Sequence, residues 1–258
     1  MDLALSGKVA IVGGASQGIG FAIARVLAAE GVKVAMVARR ADRLERAVAT
    51  IGGDAFAIPA DIRKGDDCER IVGSAVEHFG RLDILVNNDG APPLGRIDEF
   101  DDAAWGKAIE QNLMSVVRLT HHAVPHLRAA GGGSITSITA LSTLQPIARF
   151  GLSVATWAGV LGYAKTLSLE VAADRITVNT ICPGRIATGR LEKVFGSGDN
   201  QAPVDDAKLA EMAKQIPLGR IGTPDEIAGL VAFLASPWGA YITGSTFHVD
   251  GGRRAALL

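Results

Sequence analysis

Short apolar runs rich in β-branched residues alternate with segments of helical periodicity along the whole chain, and this alternation limits the possible folds most strongly. The predicted strands span 9–12, 33–38, 55–60, 82–88, 134–139, 176–182 and 245–250. The predicted helices span 18–30, 41–50, 65–79, 102–128, 152–173 and 224–235. Most strand runs are continuously apolar, which is typical of parallel strands covered on both faces. We therefore predict an α/β fold with a doubly wound parallel sheet of about seven strands and helices on both faces, in one domain over 1–258.

The composition fits a globular chain and excludes some kinds of partner. The 258 residues are 48% hydrophobic and 21% charged, and the formal net charge of −1 gives no indication of a nucleic acid or membrane partner. The two cysteines, Cys68 and Cys182, suit a reducing compartment, and neither a secretory signal nor a membrane-length apolar run is visible. We expect a cytoplasmic protein, and the His, Cys and acidic residues have no metal-ligand spacing.

Residues 190–216 interrupt the alternation of strands and helices with the polar sequence GSGDNQAP. In an open α/β sheet, ligands bind in the crevice beyond the carboxyl ends of the strands. A segment that follows the strand predicted at 176–182 overhangs that crevice. We expect a substrate lid here, and the alternative is an ordinary solvent-exposed loop.

The sequence GGASQGIG at 13–20 places three glycines between the first predicted strand and the first predicted helix. Glycines permit a tight turn and close backbone approach, and a helix N-terminus offers free N–H groups and a partial positive charge. This junction predicts a pyrophosphate site in a sheet of Rossmann type, and the alternative is a merely tight turn. The predicted cofactor-binding residues of this segment are Gly14, Ser16, Gln17, Gly18, Ile19 and Gly20.

Two arginines, Arg39 and Arg40, follow the second predicted strand. An NAD site usually has a carboxylate near this point, where it binds the ribose hydroxyls. A carboxylate would repel a 2′-phosphate, whereas a guanidinium binds it through charge-assisted hydrogen bonds. The pair therefore favours NADP(H) over NAD(H) as cofactor. The alternative is a solvated helix start.

Together with motifs further along, these residues resemble the short-chain dehydrogenase/reductase family over nearly the whole chain. The motifs are GGASQGIG, the pair Asp61-Ile62, NNDG at 87–90, QNL around Asn112, CPG at 182–184, and YITGSTFHVDGG near the end. The resemblance implies an oxidoreductase acting on carbonyls or alcohols of small molecules, assembled as a homo-oligomer (a dimer, or a homotetramer). It also implies a set of cofactor contacts: Asp61 and Ile62 at the adenine, Asn88 and Gly90 along the cofactor, Pro183 and Gly184, and Ile186 and Thr188 near the nicotinamide amide.

The family's chemistry uses a tyrosine, a lysine four residues later, a serine and an asparagine, and this chain retains one of the four. Matching GVLGYAKTLSLE to the family's active-site helix puts Ser153 at the tyrosine position and Trp157 at the lysine position. Ala140 takes the serine position, and Asn112 is the retained asparagine. A serine hydroxyl is a far weaker acid than a phenol, whose pKa is about 10. Losing a positioned general acid typically costs about 10²–10⁴ in rate.

Three functional hypotheses follow. The first is an NADP(H)-dependent oxidoreductase with another proton source, either Asp89 or water held by Asn112, with Ser153 in the tyrosine's place. The second is a silent cofactor-binding subunit or sensor that partners an active homologue, and the third is a non-redox reaction in the same crevice. For Asp89 the alternative is a hydrogen-bonded turn residue. Trp157 either meets a ligand or packs in the core.

Overall fold

A computed structural model describes residues 2–88, 90, 92–191 and 206–256. Its strands are β1 Val9–Val12, β2 Lys33–Ala38, β3 Ala55–Pro59, β4 Ile84–Asn87, β5 Gly133–Ile138, β6 Ile176–Pro183 and β7 Thr246–Val249. Its α-helices are α1 Gly18–Ala29, α2 Ala41–Ile51, α3 Gly65–Phe79, α4 Asp102–Ile109, α5 Ser115–Ala129, α6 Gly151–Glu170, α7 Asp206–Lys214 and α8 Pro224–Ala235. Short 3₁₀ turns span Ile97–Glu99, Leu141–Thr143, Ala172–Asp174 and Pro237–Gly239.

The described strands form one parallel sheet in the order β3-β2-β1-β4-β5-β6-β7. The chain moves outward from β1 to β3 and then returns to place β4 on the other side of β1. Ligands of doubly wound sheets bind at this reversal, beyond the carboxyl ends of the strands. The crevice therefore opens between the ends of β1 and β4, where the two segments predicted to hold a cofactor follow.

Each face of the sheet carries its own hydrophobic core, which is why the strands read as continuous apolar runs. In β1, Ala10 and Val12 belong to the core that contains residues of α1, α2 and α8, while Val9 and Ile11 belong to the core built with α3, α5 and α6. Successive side chains of a strand point to opposite faces, so a strand covered on both faces favours apolar side chains at successive positions. The predicted doubly wound fold is confirmed.

The helix predicted over 102–128 was wrong in one respect that matters for the site. A π-helical turn, Glu110–Met114, separates α4 from α5 and contains Asn112. Single π-turns add a residue to a helical stretch and are frequent at functional sites. The apolar periodicity on either side of the turn is preserved, so the insertion leaves little trace in the sequence pattern.

The segment predicted as a lid is partly helical. Residues 192–205 lie outside the described part of the chain, while the later residues of the segment form α7. Met212 of α7 packs with Leu191, and both are buried. The assignment of 190–216 as a substrate lid stays a prediction. No helix in the described residues has the length and apolar character needed to cross a bilayer.

Candidate functional site

The turn from β1 into α1 accepts no side chain at two of its glycines. Gly14 has a φ of 59°, and a Cβ there would lie 2.4 Å from the carbonyl oxygen of Asn88. A Cβ on Gly20 would lie 2.4 Å from the carbonyl oxygen of Gly14. The Asn88 side chain donates to the carbonyl oxygen of Gly13 at 3.0 Å, so the end of β4 holds the turn in place. We call residues 13–20 the phosphate loop.

The N-terminus of α1 is open to an anion. Gln17 occupies the cap position without making a side-chain cap bond, and the first turn contains no acidic residue. The first N–H groups of a helix have no intrahelical acceptors, and the helix dipole gives this end a partial positive charge. The uncapped N-terminus of α1 therefore suits an anion such as a pyrophosphate group.

The two arginines after β2 differ in what they bind. Arg40 forms an ion pair with Asp42 at 2.9 Å and precedes the first residue of α2. Arg39 is exposed and has no hydrogen-bonded or ion-paired partner among the described residues. The Arg63 side chain, 2.5 Å from Asp61, is the main cause of the lowered pKa of Asp61, and Arg39 contributes to the same shift. Arg39 is thus the available cation beside Asp61.

Arg43 belongs to this end of the site and was missed by the sequence reasoning. Its guanidinium donates to the side-chain oxygen of Gln17, which ties the first turn of α2 to the phosphate loop. Arg43 is three residues after Arg40, so the two lie near each other on a helical surface. The three-residue spacing of these two arginines was the feature of the sequence that could have identified Arg43 as part of the site.

Asn112 is held in place by a hydroxyl of α6. It is 1% exposed, and its Nδ2 donates to Thr156 Oγ1 at 2.8 Å. The Thr156 hydroxyl in turn donates to the carbonyl oxygen of Leu152 at 2.7 Å. Asn112 Oδ1 has no partner among the described residues, and a Cβ on Gly90 would lie 2.3 Å from it. The structure therefore brings Asn112 and Gly90 together and leaves the buried acceptor of Asn112 beside Gly90.

The positions matched to tyrosine and lysine contain neither a proton donor of suitable pKa nor a cation. Ser153 is 1% exposed, and its Oγ has no hydrogen-bonding partner in the described part of the chain. Trp157 is 5% exposed, and its Cζ2 would be 3.6 Å from a Cβ on Gly90. Trp157 also lines a cavity of about 10 Å³ with Ile62 and Asn112. That volume is about what one water molecule needs.

The hydroxyl of Thr139, next to Ala140, does not replace the missing serine. The Thr139 hydroxyl is 3.3 Å from the carbonyl oxygen of Ile181 and 3.1 Å from the sulfur of Cys182, so its hydrogen bonds lie within the sheet. Tyr163 is more than a full helical turn beyond Trp157, and burial raises the pKa of its phenol. Asp89, the predicted alternative acid, lies outside the described residues.

Residues 183–188, which begin at the last residue of β6 and which we call the strap, reach the phosphate loop. A Cβ on Gly184 would lie 2.7 Å from the Cα of Asp250, so this step of the strap packs tightly against the end of β7. Ile186 pairs with Gly222, and the methyl group of Thr188 is 3.5 Å from where a Cβ on Gly18 would be. Of the predicted contact residues, Thr188 thus reaches the phosphate loop, while Gly184 and Ile186 pack against Asp250 and Gly222.

Comparison with known proteins covers almost the entire chain. Residues 14–254 match the family described as enoyl-(acyl carrier protein) reductase. The human protein dehydrogenase/reductase SDR family member 4 is 34% identical over 257 residues, which are 98% of this chain and 90% of that protein. The match includes both the phosphate loop and the strap, so it spans the site as well as the fold.

Two solved structures show the same fold with nicotinamide cofactors. L-sorbose reductase from Gluconobacter frateurii, in complex with NADPH and L-sorbose, gives a TM-score of 0.93 at 35% identity over 100% of both chains. A 7α-hydroxysteroid dehydrogenase, in complex with NADH and 7-oxo glycochenodeoxycholic acid, gives 0.89 at 29% identity over 97% of this chain and 96% of that one. Proteins of this shape therefore include binders of either cofactor.

Proposed function

This chain belongs to the short-chain dehydrogenase/reductase family of oxidoreductases, and from that premise we propose that it binds NADP(H) in preference to NAD(H) while its tyrosine–lysine proton chemistry is lost or altered. One contrast carries the proposal. The phosphate loop is built to admit a pyrophosphate, with Gly14 and Gly20 packed where no Cβ fits. Elsewhere in the same crevice, the buried Ser153 and Trp157 stand where the proton donor and its cation are needed.

The preference for NADP(H) rests on Arg39. Its guanidinium is exposed beside Asp61 and lacks an ion-pair partner among the described residues. A 2′-phosphate would supply the missing counter-ion through charge-assisted hydrogen bonds. Arg40 is a weaker candidate because Asp42 already occupies its guanidinium. Of the two related structures, one contains NADPH and the other NADH, so the cofactor preference of this chain has to be inferred from its own residues.

The altered chemistry concerns the proton. A bound nicotinamide supplies or accepts the hydride when a carbonyl and an alcohol interconvert, and the protein must move the proton. Ser153 Oγ is a poor acid, and the neutral indole of Trp157 cannot lower a neighbour's pKa as a cation does. Asn112 Oδ1 is a buried acceptor that can hold a water molecule in the adjoining cavity. Asn112-held water, Ser153 and Asp89 remain the candidate proton sources.

A second candidate function is supported by the combination of substitutions. Ala140, Ser153 and Trp157 together remove three of the four catalytic groups, which favours a non-catalytic cofactor-binding subunit or sensor. Such a subunit would assemble with copies of itself or with an active homologue. The edge strand β7, where Thr246 and His248 are exposed, offers unpaired backbone for that assembly. The oligomeric state is measured by light scattering after gel filtration.

The test is a fluorescence titration with NADPH and NADH, followed by turnover assays with ketones, quinones and ketoacyl thioesters. We expect NADPH to bind about 10–100-fold more tightly, since a hydrogen bond to a charged group contributes about 1.5–3 kcal/mol. Tight binding with slow turnover supports an altered oxidoreductase, and tight binding without turnover supports the silent subunit. Fast turnover contradicts the altered chemistry, and no binding of either cofactor contradicts the whole proposal.

A further inference from the structure

Arg190 is a partly buried cation without a counter-ion in the described part of the chain. It follows the strap closely, and its side chain makes no hydrogen bond or ion pair with any residue that the structure describes. Burial alone lowers the pKa of its guanidinium, with no charged neighbour contributing to that shift. Taking a charge partly out of water without pairing it costs folding free energy. A side chain kept in this state points to a role in function.

The backbone on both sides of Arg190 is anchored. Thr188 packs its methyl group beside Gly18 of the phosphate loop, at 3.5 Å from the position of a Cβ there. Leu191 is buried in a small cluster with Met212, and its N–H donates to the carbonyl oxygen of Thr188 at 2.8 Å. Arg190 is therefore fixed between the phosphate loop and α7, and it differs from a mobile surface arginine.

The carboxylates at the start of α8, which borders the strap, already have partners. Glu226 receives the guanidinium of Arg220 at 2.5 Å and the N–H of Thr223 at 2.8 Å. Asp225 pairs with Arg25 at 2.5 Å. These two acids hold other groups, so neither is a counter-ion of Arg190.

We propose that Arg190 binds an anionic oxygen, phosphoryl or carboxylate, of a ligand held in the crevice. The source of that oxygen is either the pyrophosphate of the cofactor or an acidic group of the substrate, because the strap borders both the phosphate loop and the substrate side. The proposal rests on the proposed function only in placing a ligand in this crevice. A guanidinium suits the role because it forms paired charge-assisted hydrogen bonds with planar or tetrahedral oxyanions.

The experiment compares the wild type with Arg190→Met, Arg190→Lys and a matched control, Arg175→Met. Arg175 is exposed and precedes β6, at the end of that strand opposite the strap, so its loss removes one positive charge away from the crevice. Three probes are used: NADPH by fluorescence, inorganic pyrophosphate by thermal shift, and levulinate with its uncharged methyl ester by thermal shift of the NADPH-saturated protein. We expect Arg190→Met to raise the melting temperature of the ligand-free protein, because an unpaired charge is removed.

A loss of 10-fold or more in affinity for NADPH and pyrophosphate in Arg190→Met, partly restored in Arg190→Lys and absent in Arg175→Met, identifies the cofactor as the source. Unchanged NADPH binding with loss of the levulinate shift, while the ester is unaffected, identifies the substrate. Unchanged binding of NADPH, pyrophosphate and levulinate overturns the proposal, as does a wild type that binds none of them. If the wild type binds pyrophosphate but not NADPH, the proposed function fails while the role of Arg190 is still decided by pyrophosphate.

Discussion

Asn112 donates a hydrogen bond from its side-chain amide to the hydroxyl of Thr156 at 2.8 Å, and this bond joins the π-helical turn to α6. Thr156 is 3% exposed, so the bond is made away from solvent. Because Nδ2 is bound to α6, Oδ1 is the atom that faces Gly90. The orientation of Asn112 is thus set by a threonine of the neighbouring helix.

Replacing Thr156 by valine tests this bond. Thr156→Val keeps the shape but leaves a buried N–H group without an acceptor, which costs about 1–3 kcal/mol in the free energy of unfolding. Thr156→Ser is the matched control because it retains the hydroxyl. Urea denaturation measures both variants. Equal stability of the valine and serine variants would show that the Asn112 amide does not depend on the hydroxyl.

Adding a methyl group at Gly20 should close the phosphate loop. The new Cβ in Gly20→Ala would lie 2.4 Å from the carbonyl oxygen of Gly14, so the loop must shift. We expect NADPH affinity to fall at least about 10-fold, or about 1.4 kcal/mol. Gly73→Ala on α3 is the control: nothing lies within 4 Å of its Cβ, and alanine is favoured there by about 0.5–1 kcal/mol. Undiminished NADPH binding by Gly20→Ala would contradict the role of the phosphate loop in binding the cofactor.

The two arginines after β2 should contribute differently to cofactor choice. We expect Arg39→Ala to weaken NADPH binding about 10–100-fold and to leave NADH binding nearly unchanged, because only NADPH has the 2′-phosphate. Arg40→Ala should have a smaller effect, since Asp42 already binds that guanidinium. Equal losses for both cofactors in Arg39→Ala would rule out a specific contact with the phosphate.

Lowering the pH should destabilise the N-terminus of α8, because Glu226 becomes protonated. Hydrogen bonding to Arg220 lowers the pKa of Glu226 from 4.5 to about 2. A carboxyl whose pKa is lower in the folded state stabilises the fold above its unfolded pKa, and this contribution is lost as the pH falls from 4.5 to about 2. Glu226→Gln keeps the acceptor of the capping box with Thr223 but removes the charge.

Urea denaturation of the wild type and Glu226→Gln at about pH 7 and about pH 3.5 measures this effect. We expect the variant to be less stable at the higher pH by at most about 1 kcal/mol, because the pair is partly exposed and screened. The difference should shrink at the lower pH. A difference that stays constant with pH would assign the loss to the cap geometry instead of the charge.

Much of the fold was predictable because both faces of the sheet are covered. Continuous apolar strands such as β1 are typical of that arrangement, and the helices at 65–79 and 224–235 end where the structure ends them. The π-helical turn around Asn112 was not predictable, because one inserted residue preserves the apolar faces on either side. A single inserted residue within a helix does not give the local sequence a distinctive amino-acid composition.

The parts of the site that are defined by backbone contacts were predictable from the sequence. The parts that depend on hydrogen bonds between side chains were less predictable. The glycines of the phosphate loop are required by close backbone contacts, which a sequence motif records well. The hydrogen bonds from Arg40 to Asp42 and from Arg43 to Gln17 depend on side-chain rotamers, which the spacing of residues in the sequence does not determine. Thr156 was overlooked because a threonine within a helix has no pattern that marks it as a partner for Asn112.

The most direct test of the central claim compares turnover of the wild type with that of the variant carrying Ala140→Ser, Ser153→Tyr and Trp157→Lys. Both proteins are saturated with NADPH and assayed on one panel of carbonyl substrates, with NADPH affinity and melting temperature confirming that both fold and bind. A restored general acid should increase the rate on at least one substrate by about 10²–10⁴. A wild type that reduces the panel as fast as the variant, or faster, would contradict the loss or alteration of the tyrosine–lysine chemistry.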